Sequence, residues 1–161
     1  MNYIKYLFTF VTFFTFVIEA TGSNNNHQLN EQLLELSQNK YVTAEQVKEL
    51  IAQGANVNTV DKMGRTPLLI ACANGCDTIF EELLATVGIN VNIANEGGYT
   101  PLHAACILNN VNMVRALLTV THIDVNMVDK FGRTPIHLTE DSRITAMINN
   151  HIEESHSHIE Y

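Results

Sequence analysis

Apolar residues fall in short bursts at helical spacing, separated by polar turns. The bursts are Leu29, Leu33, Leu34 and Leu36; Val47, Leu50 and Ile51; Leu68, Ala71 and Cys72; Ile79, Phe80, Leu83 and Leu84. They continue with Leu102, Ala105 and Cys106; Val111, Val114, Leu117 and Leu118; Ile136 and Leu138; and Met147 with Ile148. Spacings of three and four give each burst one sticky helical face. They predict helices over 29–39, 43–53, 67–74 and 78–86, and the same pair again 34 residues later.

The polar joints repeat as well. Gly64-Arg65-Thr66-Pro67-Leu68, Gly98-Tyr99-Thr100-Pro101-Leu102 and Gly132-Arg133-Thr134-Pro135-Ile136 are separated by 34 residues each time. Val57-Asn58, Val91-Asn92 and Val125-Asn126 keep the same step. A glycine permits a sharp turn, threonine caps a helix N-terminus, and proline suits the first helical position because its missing N–H is not needed there. A fixed period of this size predicts stacked units, each too small to bury its own apolar face.

Thr100-Pro101-Leu102-His103-Ala104-Ala105 resembles the ankyrin repeat signature, and Ile123-Asp124-Val125-Asn126 resembles its closing segment. The likeness covers residues 29–150. It implies an all-α solenoid of helix–turn–helix units joined by loops that form β-hairpins. The period is one longer than the family's usual 33; the added residue falls before Val91 and Val125.

Domain organisation follows from the joints. Residues 29–60 form an atypical N-terminal repeat without the Thr-Pro entry, started on its second helix by a Thr43…Gln46 capping box. Residues 61–94 and 95–128 are full repeats, and 129–150 is a truncated C-terminal one. His122 stands where Gly54 and Gly88 end the other repeats, which predicts a different loop there. Residues 23–28 are expected to be a polar linker and 151–161 an acidic, histidine-containing, disordered tail.

At the N-terminus, Lys5 precedes an apolar and hydroxyl run from Leu7 to Ile18, the length of an export-signal core and short for a bilayer span. Small residues follow, so residues 1–22 are expected to be a signal peptide cleaved near Ala20 or Gly22, giving a secreted or periplasmic protein. The alternatives are a buried β-rich segment or an uncleaved anchor. Net charge is −8, which argues against nucleic acid.

Candidate chemistry is sparse. His103 with Cys106 one turn later would suit a thiol-dependent enzyme. The resemblance instead implies that His103 and His137 hydrogen-bond the backbone of the neighbouring repeat; Leu69 takes the place in the second repeat. Repeat spacing of about 10 Å keeps Cys72 and Cys106 apart as free thiols, while Cys76 is placed in a turn with an open redox fate. The tail's His151, His156 and His158 with Glu153, Glu154 and Glu160 are a weak candidate for a soft metal, without an ordered geometry to hold it. No phosphate loop, Cys-x-x-Cys or nucleophile elbow occurs. The reading is no enzyme, no cofactor and no metal.

A surface remains. By resemblance the partner-facing positions are Lys62, Met63, Arg65, Ala73 and Asn74; Glu96, Gly97, Tyr99, Ile107 and Leu108; and Lys130, Phe131 and Arg133. This implies a monomeric protein–protein interaction module that meets the membrane only during export. Small secreted ankyrin proteins often come from microbes that live against host cells, so the implied partner is a host protein. A passive structural role without a specific partner is the third reading.

Overall fold

The computed structural model describes residues 25–157, and their side chains through 155. The expected signal peptide lies outside the described residues. Among the described residues seven α-helices and one 3-10 turn follow in order: α1 Asn25–Leu36, α2 Ala44–Ala52, α3 Pro67–Asn74, α4 Asp77–Leu84, α5 Pro101–Ile107, α6 Val111–Leu118, the 3-10 turn Pro135–Leu138, and α7 Ser142–Ser157. No described helix is long and apolar enough to cross a membrane.

The elements form two rows. The inner row is α1, α3, α5 and the 3-10 turn, each packed on the next; the outer row is α2, α4, α6 and α7. Between the rows runs one core, including Leu33, Val47, Leu50, Leu68, Phe80, Leu83, Leu102, Met113, Leu117, Ile144 and Ile148. A fully buried side chain of this kind contributes about 1.5–3 kcal/mol through removal from water. No single repeat could collect enough of these to fold alone, so the stack is the cooperative unit.

Local chemistry sets the helix ends. Thr66 Oγ1 accepts the Leu69 N–H at 3.1 Å, and Pro67 opens α3. Gly75 closes it in left-handed geometry (φ 63°), and Asn109 takes the same role after α5 (φ 50°). Asparagine tolerates that region better than other side chains, and its Oδ1 is used there, accepting from Thr139 Oγ1 at 2.7 Å. The Thr43 box forms as read, with Gln46 Oε1 accepting the Thr43 N–H at 3.1 Å.

The Val-Asn phrase is an inter-repeat clamp. Asn58 Oδ1 accepts the Asn90 N–H (2.8 Å) while its amide donates to the Gly88 carbonyl (2.7 Å). Asn92 does the same toward Asp124 (2.9 Å) and His122 (2.6 Å). The first repeat improvises: Asn30, on α1, accepts the Asn56 N–H at 2.7 Å. His122 is absent from the positive-φ residues that include Gly54 and Gly88, so its backbone differs as read, yet its carbonyl still meets the clamp.

Three expectations change. The segment 25–28, read as linker, is the first turn of α1, which carries Leu29 into the core. The helix α7 continues to Ser157 through the residues read as a disordered tail, because Ile152 still packs against the core. The inter-repeat loops are hairpin-shaped but contain no strand among the described residues; each is closed by two backbone bonds, such as Asn95 N–H to the Tyr99 carbonyl at 3.0 Å and Gly98 N–H to the Asn95 carbonyl at 2.9 Å.

Candidate functional site

Each hairpin tip is built around its first residue. Asp61 Oδ1 accepts the N–H groups of Met63 (2.9 Å) and Arg65 (2.8 Å), and Asp61 Oδ2 takes the Arg65 guanidinium at 2.7 Å. Asp129 repeats this with Phe131 (2.8 Å), Arg133 (3.0 Å) and the Arg133 guanidinium at 2.7 Å. Asn95 does it without charge toward Gly97 (2.9 Å) and Tyr99 (3.0 Å). Burial alone would raise the Asp129 carboxyl, but the Arg133 guanidinium and the tip N–H groups outweigh it and hold it at about 2. These three tip anchors were not among the residues read as functional. Their common step of 34 was visible in the sequence.

Adjacent tips touch. The Glu96 N–H donates to the Met63 carbonyl (3.1 Å) and the Lys130 N–H to the Gly97 carbonyl (3.0 Å). Arg133 Nη2 donates to Tyr99 Oη at 2.8 Å, one repeat away. Phe131 lies under two cations, 5.0 Å from the Arg133 guanidinium and 5.5 Å from the Lys130 ammonium.

His103 locks the third repeat to the fourth. It is fully buried and Nε2 lies 3.2 Å from the Arg133 carbonyl. A carbonyl only accepts, so Nε2 carries the proton and Nδ1 accepts, which suits the Thr100 N–H at 3.2 Å. Tyr99 meets the ring edge-on at 5.7 Å. Burial lowers the pKa of this imidazole.

A family model described as ankyrin repeats (3 copies) matches residues 17–95 and 33–129, most of the chain. The chain is an ankyrin repeat protein. No curated protein matches it. Ankyrin repeats generally mediate protein–protein interaction and are typically non-enzymatic.

Against that background the partner-facing positions separate into two kinds. Met63 (51 % exposed), Phe131 (67 %), Ile107 (49 %) and Leu108 (47 %) present apolar surface to solvent, and Lys62, Glu96 and Lys130 are exposed beside them. Arg65, Tyr99 and Arg133, read as an aligned binding edge, are half-buried and engaged inside the ankyrin scaffold. The positions are also split along the inner helices. The tips hold Met63 and Phe131, while Ala73, Asn74 and Leu108 sit at the far ends of α3 and α5, about 10 Å along the helix.

The thiols are placed differently from part of the reading. Cys72 and Cys106 are free and buried, as expected; Cys76, read as a turn residue open to oxidation, is buried too, at the start of α4. Burial raises the Cys106 thiol to about 12. Both ring nitrogens of His103 are occupied by structural bonds, so it is committed elsewhere. Among the described residues no group of three or more His, Cys, Asp and Glu could hold a metal ion; the side chains of His156 and His158 lie outside them.

Proposed function

We propose that this chain is an exported, non-catalytic ankyrin scaffold that grips one partner protein, of a host cell, at the hairpin tips and adjoining concave face. The observation that carries the reading is the exposed apolar pair Met63 and Phe131, on tips held rigid by Asp61 and Asp129. A rigid tip loses little entropy on binding, and exposed large apolar side chains on a fixed frame are what a partner's pocket recognises. The cations Lys62 and Lys130 and the carboxylate Glu96 form the rim that selects among partners. Occlusion or tethering is the mechanism, with specificity from the tip residues. The thiol-dependent alternative is disfavoured by the buried, high-pKa Cys106.

The test is affinity capture with the secreted protein, followed by Phe131→Ala and Met63→Ala on the captured pair. A hot spot of this type costs at least about 2 kcal/mol, roughly thirtyfold in Kd. Unchanged affinity in both variants would refute the proposed face. Rapid alkylation of Cys106 in the native protein would instead favour the enzyme. Mass measurement of the mature chain reads the cleavage near Ala20 or Gly22.

A further inference from the structure

Opposite the tips, where each repeat turns from inner to outer helix, lies an open groove of about 730 Å³. Its walls include Lys40 from the α1–α2 loop, Leu108, Val111 and Arg115 from the third repeat, and Arg143 from the start of α7. Three cations line it and no carboxylate does. That distribution is unusual for a chain of net charge −8. Three other cations are salt-bridged, Lys48 to Glu45 and Glu82, Arg65 to Asp61 and Arg133 to Asp129, while Lys62 and Lys130 at the tips have no salt bridge with a described residue. Arg143 is paired with Asp141 at 2.6 Å but remains mostly exposed. Lys40 and Arg115 form no salt bridge with any described residue.

Opposing charges lie nearby and set the balance. Asp77 accepts from Asn110 at 3.1 Å, and Glu35 borders a neighbouring hollow that shares Lys40 and adds the fully solvated Tyr41. Within the groove itself the only other side chains are amide or apolar, with Leu108 as an exposed hydrophobic wall.

We propose that this groove binds an extended acidic segment of a partner protein, with carboxylates against Lys40, Arg115 and Arg143 and an apolar side chain against Leu108. The cations come from the first, third and fourth repeats, so a ligand that meets all three has to run across the stack. Alternate side chains of an extended chain face one way, which suits cations spread along one wall. Nucleic acid and anionic membrane are the poorer fits, since three cations neutralise few phosphates and the rest of the molecule repels a polyanion. The inference rests on the protein-binding reading of the scaffold but not on the tips.

The experiment is selection of random short peptides displayed on phage against the immobilised protein, with hits measured by fluorescence anisotropy. Acidic sequences are expected to be enriched, to weaken with added salt, and to lose at least about tenfold in affinity on Lys40→Glu/Arg115→Glu. A control in neither the groove nor the tips, Val87→Glu/Thr121→Glu, also adds negative charge and should alter affinity by less than about twofold. All four side chains are exposed, and circular dichroism verifies the fold of both variants. Enrichment of neutral or basic peptides, indifference of acidic ones to Lys40→Glu/Arg115→Glu, or no enrichment would overturn the groove. So would binding of an oligonucleotide or of phosphatidylserine vesicles in place of the peptides. Hits that depend on Phe131 alone would overturn the groove and leave the scaffold reading standing.

Discussion

The third and fourth repeats begin with nearly the same phrase and end as different structures. Thr100-Pro101-Leu102-His103 opens an α-helix, and its histidine is fully buried. Thr134-Pro135-Ile136-His137 makes the same capping box, then stops after a 3-10 turn with its histidine exposed. Both histidines accept through Nδ1 from the N–H of their threonine, at 3.2 Å in each case. Only His103 finds a carbonyl, that of Arg133, for its Nε2. The phrase therefore encodes a helix start; the next repeat supplies what completes it.

Glycines give the comparison its largest test. Gly98 and Gly132 both have positive φ, 80° and 75°. A Cβ on Gly98 would meet Asp129 Cα at 2.7 Å and the Val128 carbonyl at 2.9 Å, whereas Gly132 has nothing within 4 Å. Gly98→Ala combines the left-handed penalty with a backbone collision and should cost about 3 kcal/mol or more by chemical denaturation. Gly132→Ala carries the first term alone, about 1 kcal/mol. Equal costs would break the comparison.

Next come the histidines. His103→Ala leaves a cavity and the buried Thr100 N–H without its partner, while the Arg133 carbonyl keeps the Asp129 N–H; the cost is about 2–4 kcal/mol by thermal or urea unfolding. His137→Ala should cost below about 1 kcal/mol. His103 also shapes the pH dependence. The folded His103 has a pKa below its unfolded value of 6.5, so only the unfolded chain takes up that proton as pH falls from there. Its stabilising contribution is complete above 6.5 and is lost as pH drops toward the folded value. His103→Gln should flatten that limb of the stability profile. Asp129 adds a second acid limb, from 3.8 down to about 2. Tyr99→Phe removes the bond from Arg133 and should cost about 0.5–1.5 kcal/mol by the same unfolding assay.

Much of this could be read from residue order. The period, the threonine caps, the helix entries at Pro67 and Pro101 and the buried faces all depend on local chemistry that spacing reveals. The role of His103 came with the family resemblance, and the Arg133 carbonyl at 3.2 Å supports it. Other features depend on who the neighbour is. Tyr99 and Arg133 looked like a binding edge because both types favour interfaces; they face each other because repeats one period apart are in contact. Residues 25–28 and 151–157 looked too polar to order, yet Leu29 and Ile152 anchor them. The groove was invisible to periodicity, since Lys40, Arg115 and Arg143 occupy unrelated places in the sequence.

Backbone hydrogen exchange on the full chain, resolved by residue, tests most directly whether the neighbouring repeat, rather than the phrase, completes each unit. The account predicts that the hydrogen-bonded amides of α5 and its C-cap, Ala104 and Leu108, exchange about a hundredfold or more slowly than the His137 amide of the 3-10 turn, a gap of about 2.7 kcal/mol. Equal protection at the two places would contradict it.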